Sequence, residues 1–168
     1  MKTARIFFVA AVFFALPVFA CAGMPGFGVV GSGKVVSSER SVGAFDKVAS
    51  GGSADVRIRK GPSTRVVVTT DDNIQEYFRV EVSGGVLSLG YEPGTMIART
   101  SKLVVDVYLP TLESVSVSGS GDMSLIDPFK GDDFSATVSG SGSISGSVRY
   151  NKASIRISGS GKVTLDGS

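Results

Sequence analysis

Two short stretches carry the residue types of a phosphate-binding loop. Gly28, Gly33 and Lys34 have the spacing of Gly, four residues, then Gly-Lys, and Gly159-Ser160-Gly161-Lys162 ends in the same Gly-Lys pair. In such a loop the glycine amides cradle the phosphates, the lysine neutralises them, and a following Ser or Thr holds magnesium. Val35 and Val163 stand where that hydroxyl is required, and Arg156 occupies the place of the first glycine before Gly161. Neither stretch reads as a buried strand leading into a helix. Nucleotide binding is set aside, and the glycines need another role.

Other chemistry is also short of partners. Histidine is absent, which removes serine–histidine and cysteine–histidine nucleophiles. The serines have no base beside them and read as turn and ladder residues. Asp71-Asp72 and Asp132-Asp133 are adjacent pairs, which a strand would point to opposite faces. In turns they could hold calcium weakly, but their spacing is neither that of an EF-hand nor of the glycine-rich calcium repeat. They read as solvated turn acids, with no metal and no cofactor expected. A polysaccharide lyase or glycosidase would gather acids such as Asp106 or Asp122 with Arg156 or Lys162 on one exposed sheet. Arg156 instead shares its column with Thr137 and Ser116, so no catalytic residue is assigned.

The 168 residues suit one domain. Of 17 basic and 15 acidic residues, Lys2 and Arg5 fall in the first 20, which leaves 15 against 15 afterwards. A neutral chain lacks the basic face of a nucleic-acid binder. Lys2 and Arg5 precede an apolar run, Ile6 to Leu16, and Pro17 breaks the segment before Ala20. Residues 1–20 therefore read as a secretory signal peptide, and the run, at about 11 residues, is too short to span a bilayer.

Cys21 is the single cysteine, so no disulfide forms within the chain. Its place after an apolar segment and Ala20 resembles the lipobox of bacterial lipoproteins. That resemblance implies lipidation at Cys21, and Ala22 after it implies the outer membrane. The plain alternative is an ordinary cleavage site, Ala20-Cys21-Ala22, releasing a periplasmic or secreted protein. Residues 21–33 then serve as a glycine-rich tether, and 34–168 as the folded domain.

Three segments explain the glycines. They are SVSVSGSGDMSL (114–125), SATVSGSGSISG (135–146) and SIRISGSGKVTL (154–165). Their tetrads are Ser118-Gly119-Ser120-Gly121, Ser139-Gly140-Ser141-Gly142 and Ser158-Gly159-Ser160-Gly161, spaced by 21 and then 19 residues. Val117, Val138 and Ile157 precede the tetrads, and Met123, Ile144 and Val163 follow them. The apolar columns alternate with polar residues, the period-two mark of half-buried strands. Short strands repeating near every 20 residues predict a parallel β-helix-like solenoid, whose stacked rungs share a core that none could bury alone. Each tetrad is a rung corner, where glycine takes positive φ and admits the next turn closely. The six column residues are expected inward, with Ser116, Thr137 and Arg156 outward.

The N-terminal half is less regular but still β. VRIRK (56–60) and RVVVTT (65–70) flank a Gly-Pro-Ser turn, FRVEV (78–82) and VLSLGY (86–91) flank a hairpin turn, and LVVDVYLP (103–110) is a strand ended by Pro110. Between the second and third, residues 71–77 suit one helical turn with an aspartate as N-cap.

The segments 31–58, 71–89 and 107–121, together with the terminal repeats, resemble the head GIN domain, a family of bacterial envelope proteins described as putative auto-transporter adhesins. The resemblance covers about Gly31 to Ser168. It implies an exported β-helical domain, often lipid-anchored, of unassigned molecular function. The chain itself is read as non-catalytic, with a role in adhesion or in binding envelope polysaccharide or protein. A contiguous exposed patch with charged or aromatic residues would favour binding; a featureless hydroxyl face would favour a purely structural role. Since no polar cap follows the last rung, self-association through the solenoid ends is also expected.

Overall fold

The computed structural model describes residues 28–167. The signal-like segment, Cys21 and most of the tether lie outside them. The first strands are β1 (Val29–Val30), β2 (Val35–Arg40), β3 (Lys47–Gly52), β4 (Asp55–Lys60) and β5 (Arg65–Asp71). A 3-10 turn, Gln75–Tyr77, leads into β6 (Phe78–Ser83), β7 (Val86–Tyr91), β8 (Ile97–Arg99) and β9 (Leu103–Leu109). The repeats supply β10 (Ser114–Gly119), β11 (Asp122–Leu125), β12 (Phe129–Gly140), β13 (Ser143–Gly159) and β14 (Lys162–Gly167). The protein is all-β. Twelve strands form one sheet that curls into a nearly closed, barrel-like wrap, while β1 and β8 pair separately.

The repeats lie parallel and in register. Val117 pairs with Val138 and Val138 with Ile157, the 21- and 19-residue offsets read from the tetrads. After the corners, Met123, Ile144 and Val163 align in the same way. One wall therefore runs β7-β3-β10-β12 into the second half of β13, and the other runs β9-β4-β11 into its first half and then β14. Among the described residues, antiparallel pairing is confined to β2 with β5, β5 with β9, and the predicted hairpin β6–β7. Gly84 and Gly85 turn that hairpin with φ of 57° and 78°, as its two-residue connection requires.

The corner glycines stack without room for a side chain. Gly119, Gly140 and Gly159 have φ of 134°, 127° and 116°, and a Cβ on Gly140 would lie 2.5 Å from the Gly119 carbonyl oxygen. That carbonyl accepts the amides of Ser141 and Gly142, both at 2.9 Å. The corner serines are exposed; the hydroxyl contacts between rungs lie elsewhere, Ser124 with Ser145 and Ser143 with Asp122. Gly146 replaces the leucine of its column because a Cβ there would sit 2.4 Å from Leu125 Cβ.

Inward residues of both walls share one core, including Val115, Val117, Met123, Ala136, Val138 and Ile144. Two columns depart from the expected burial. Ile157 is 49% exposed and Val163 only half-buried, because among the described residues no further strand pairs beyond them to cover the face their register assigns. The 3-10 turn also differs: its N-cap is Ile74, with no side-chain cap. Nor do β4 and β5 pair across their Gly-Pro-Ser turn; both lie against β9.

Candidate functional site

The repeat strands carry alternate side chains outward, and the parallel register sets those of successive rungs side by side at about 4.8 Å. Lys47, Ser114, Ser135 and Ser154 form one such row across β3, β10, β12 and β13. Ala49, Ser116, Thr137 and Arg156 form the next, so the column read from the sequence for Arg156 gains a fourth member. A groove of about 540 Å³ follows the first row, walled by Glu113, Asp133, Lys152 and Arg156. A second hollow of about 450 Å³ adjoins it, sharing Glu113 and Asp133 and reaching Lys130, Asp132 and Tyr150.

Charge in this groove is mixed and partly free. Lys47 Nζ lies 3.2 Å from Glu113 and 3.4 Å from Asp46, and these two carboxylates, Glu113 foremost, raise its pKa. Among the described residues, Asp133, Lys152 and Arg156 have no ion-pair partner. Phe134 is the aromatic residue lining the groove, and the aromatic residue of the second hollow is Tyr150. Its ring packs 5.0 Å from the Phe134 ring, its hydroxyl donates to the Leu112 carbonyl, and burial followed by the Glu113 charge pushes its pKa up to about 12. Gly131 leaves the space that ring needs, since a Cβ there would meet it at 2.8 Å. Tyr150 is thus held as a floor for the second hollow.

The acids singled out in the sequence do not converge. Asp106 sits on β9 of the opposite wall, 3.6 Å from Arg59, while Asp122 accepts the Ser143 amide and hydroxyl in a column that continues to Lys162. No three acidic, cysteine or histidine residues among the described ones are placed to share a metal ion. Gly33-Lys34 leads into β2, and Lys162 opens β14 as an exposed strand residue, so neither glycine-lysine pair starts a helix.

Asp71 departs most from its reading as a solvated turn acid. Its side chain is fully buried. It accepts the amide of Ser101 at 2.7 Å, the Thr100 hydroxyl at 2.9 Å and the Gly33 amide at 2.8 Å. Those donors, the Ser101 amide foremost, hold its pKa below the usual carboxylate value. Gly31 passes close enough that a Cβ would collide with the carboxylate at 2.4 Å. Asp71 therefore fastens the entering chain to the β8–β9 connection. Its neighbour Asp72 takes the Ser32 hydroxyl and Lys34 at the surface.

The groove's contributors were only partly readable. Arg156 was singled out, and Asp133 as half of an acidic pair, but Lys47, Glu113 and Lys152 were not. A signal existed for Lys47: KVASGGSADVRI (47–58) repeats the spacing of SVSVSGSGDMSL (114–125), with Ser50-Gly51-Gly52 in register with Val117-Ser118-Gly119. Lying 67 residues upstream, it supplies β3 and β4, which pair in parallel with β10 and β11.

Fold and groove together define an all-β protein whose glycine-containing repeat strands lie parallel and in register, with a charged groove on their outer face. The model of the family described as "Putative auto-transporter adhesin, head GIN domain" matches residues 44–168, and this chain belongs to that family. Among solved structures, a putative adhesin from Parabacteroides merdae superposes with a TM-score of 0.76 at 22% identity, over 82% of this chain and 58% of that one. A protein from Parabacteroides distasonis described as a putative lipid binding protein gives 0.76 at 23% identity, over 83% and 61%. A putative adhesin from the same organism gives 0.71 at 22%, over 83% and 68%. These likenesses establish the fold. The chain spans about three fifths of the first two structures it matches. No curated protein matches it.

Proposed function

We propose that this chain is a non-catalytic, exported binding module of the bacterial envelope, a short β-solenoid whose groove takes an envelope polymer, either a polysaccharide or a protein segment. The observation that carries the reading is the groove of Lys47, Glu113, Asp133, Lys152 and Arg156 along a row of serine hydroxyls. A purely structural rung stack would be served by a featureless hydroxyl face; free charges beside ordered hydroxyls suit recognition. Charged hydrogen bonds to a ligand exceed neutral ones in strength, and regularly spaced hydroxyls match a repeating chain. A β-helical polysaccharide-active enzyme is the weaker reading, since Asp106 and Arg156 stand on different walls. Family membership and the adhesin neighbours support adhesion, and the neighbour described as lipid binding adds lipid to the ligands worth testing. Export rests on residues 1–20, and attachment to the outer membrane on Cys21.

The test is a binding screen of the chain against glycans, envelope extract and lipid vesicles, repeated with Lys152→Ala/Arg156→Ala. Binding that falls at least about tenfold in the double variant supports the groove, as expected when two charged contacts are lost. Binding unaffected by the substitutions removes the groove from the function. No binding to any class leaves the structural role.

A further inference from the structure

Within residues 28–167, two strand edges are unpaired on one side of the sheet. Among the described residues β14 pairs only with the first half of β13, and the second half of β13 pairs only with β12. Such edges present unpaired N–H and C=O groups, a template for another strand. The apolar columns run out into them, leaving Ile155 50% and Ile157 49% exposed. The opposite side of the sheet is different. Its outer strands β2 and β6 lie antiparallel to their neighbours and carry charges, Glu39 paired with Arg65 at 3.5 Å and Arg79 with Glu81. Edge charges discourage further pairing, so the two sides do not fit head to tail, and the free side is left to meet its own copy.

We propose that two copies of this chain associate about a two-fold axis, with β14 of one pairing antiparallel with β14 of the other. Lys162-Val163-Thr164-Leu165-Asp166 is complementary to its own reversal. With Thr164 opposite its counterpart, Lys162 faces Asp166 of the partner subunit, and Val163 faces Leu165 of the partner subunit. Lys162, Thr164 and Asp166 are exposed and Val163 and Leu165 half-buried, so the ion pairs form outside and the apolar pairs inside. Opposite charges directly across an antiparallel pair stabilise it and like charges destabilise it. The free edge of β13 lies on the same side of the stack and meets its own copy in the same assembly. A register centred on Ile155 or Ile157 sets Arg156 opposite a serine, whereas one centred on Arg156 would oppose two guanidinium groups. Lys152, Ser154 and Arg156 lie on this strand, so the dimer joins two grooves into one trough. The pairing itself does not depend on the groove binding anything.

The experiment is sedimentation equilibrium on the full chain from an exporting host, carrying Cys21→Ala so that lipid plays no part. A monomer–dimer equilibrium without larger species is expected. Lys162→Asp and Asp166→Lys should each weaken the dimer about tenfold or more, since each change sets like charges opposite at two symmetric positions. The double exchange Lys162→Asp/Asp166→Lys should restore it, an outcome that damage to the fold cannot produce. A chain monomeric at every concentration overturns the proposal. So does a dimer indifferent to the single changes, or a double variant that stays dissociated while circular dichroism shows its strands intact.

Discussion

Alanine at Gly140 should destabilise this fold far more than alanine at Gly52, although both glycines stand in one column and both have positive φ, 127° and 85°. Gly52 belongs to β3, where the neighbouring β7 has no residue paired to this corner, and a Cβ there would meet nothing within 4 Å. Its replacement costs backbone strain alone, about 1–2 kcal/mol for a left-handed alanine. At Gly140 the Cβ would lie 2.5 Å from the Gly119 oxygen, and ordinary contact begins at 3.4 Å, so the rungs must part by the difference, about 0.9 Å. The movement stretches the two hydrogen bonds from Ser141 and Gly142 to that oxygen, each 2.9 Å long. At about 1 kcal/mol apiece, their loss brings the total to roughly 3–4 kcal/mol. Gly142→Ala should cost the overlap without the strain, because its Cβ would lie 2.2 Å from the Gly121 oxygen while its φ is not left-handed. Urea unfolding followed by circular dichroism reads these differences as shifts in midpoint at constant slope. Equal losses at Gly52 and Gly140 would refute stacking as the reason for the second glycine column.

Val138 is fully buried and Ile157 is 49% exposed, although they are paired in register. Val138→Asp should therefore cost about 3–5 kcal/mol through an unpaired buried charge, and Ile157→Asp in dilute solution less than about 1 kcal/mol, both measured by denaturant titration. Asp71 has its folded pKa depressed by the Ser101, Thr100 and Gly33 donors. Its contribution is therefore present above the unfolded carboxylate value of about 3.9 and is lost as pH falls through the lower folded value. Asp71→Asn should weaken that part of the acid dependence and speed amide exchange at Gly33 and Ser101, which hydrogen-exchange mass spectrometry resolves. Cys21→Ala should move the protein from the membrane to the soluble or unprocessed fraction, and mass spectrometry of the native N-terminus should find an acylated Cys21. An unmodified N-terminus at Gly23 would instead mark an ordinary cleavage site.

Local chemistry was sufficient to read the faces of the repeat strands. Successive Cβ atoms on a strand point to opposite faces, so Val117, Val138, Met123 and Ile144 could be assigned inward from alternation alone. The spacing of the repeated Ser-Gly-Ser-Gly likewise matches the register offsets of β10, β12 and β13, because equivalent residues of successive repeats pair. Alternation says which way a side chain points and nothing about what covers it. Ile157 has the same local pattern as Val138 and a different fate, since burial depends on the presence of a further rung. The groove was beyond local reading for the same reason. Lys47, Glu113 and Lys152 are distant in sequence, and only the parallel pairing of β3, β10, β12 and β13 brings them to one trough. Asp71 looked like a surface acid beside Asp72, yet three donors from segments about 30 and 38 residues away enclose it. Strand direction and corner chemistry are properties of a few neighbouring residues; coverage, charge grouping and carboxylate burial depend on which distant strands are packed together, and only the tertiary structure decided those.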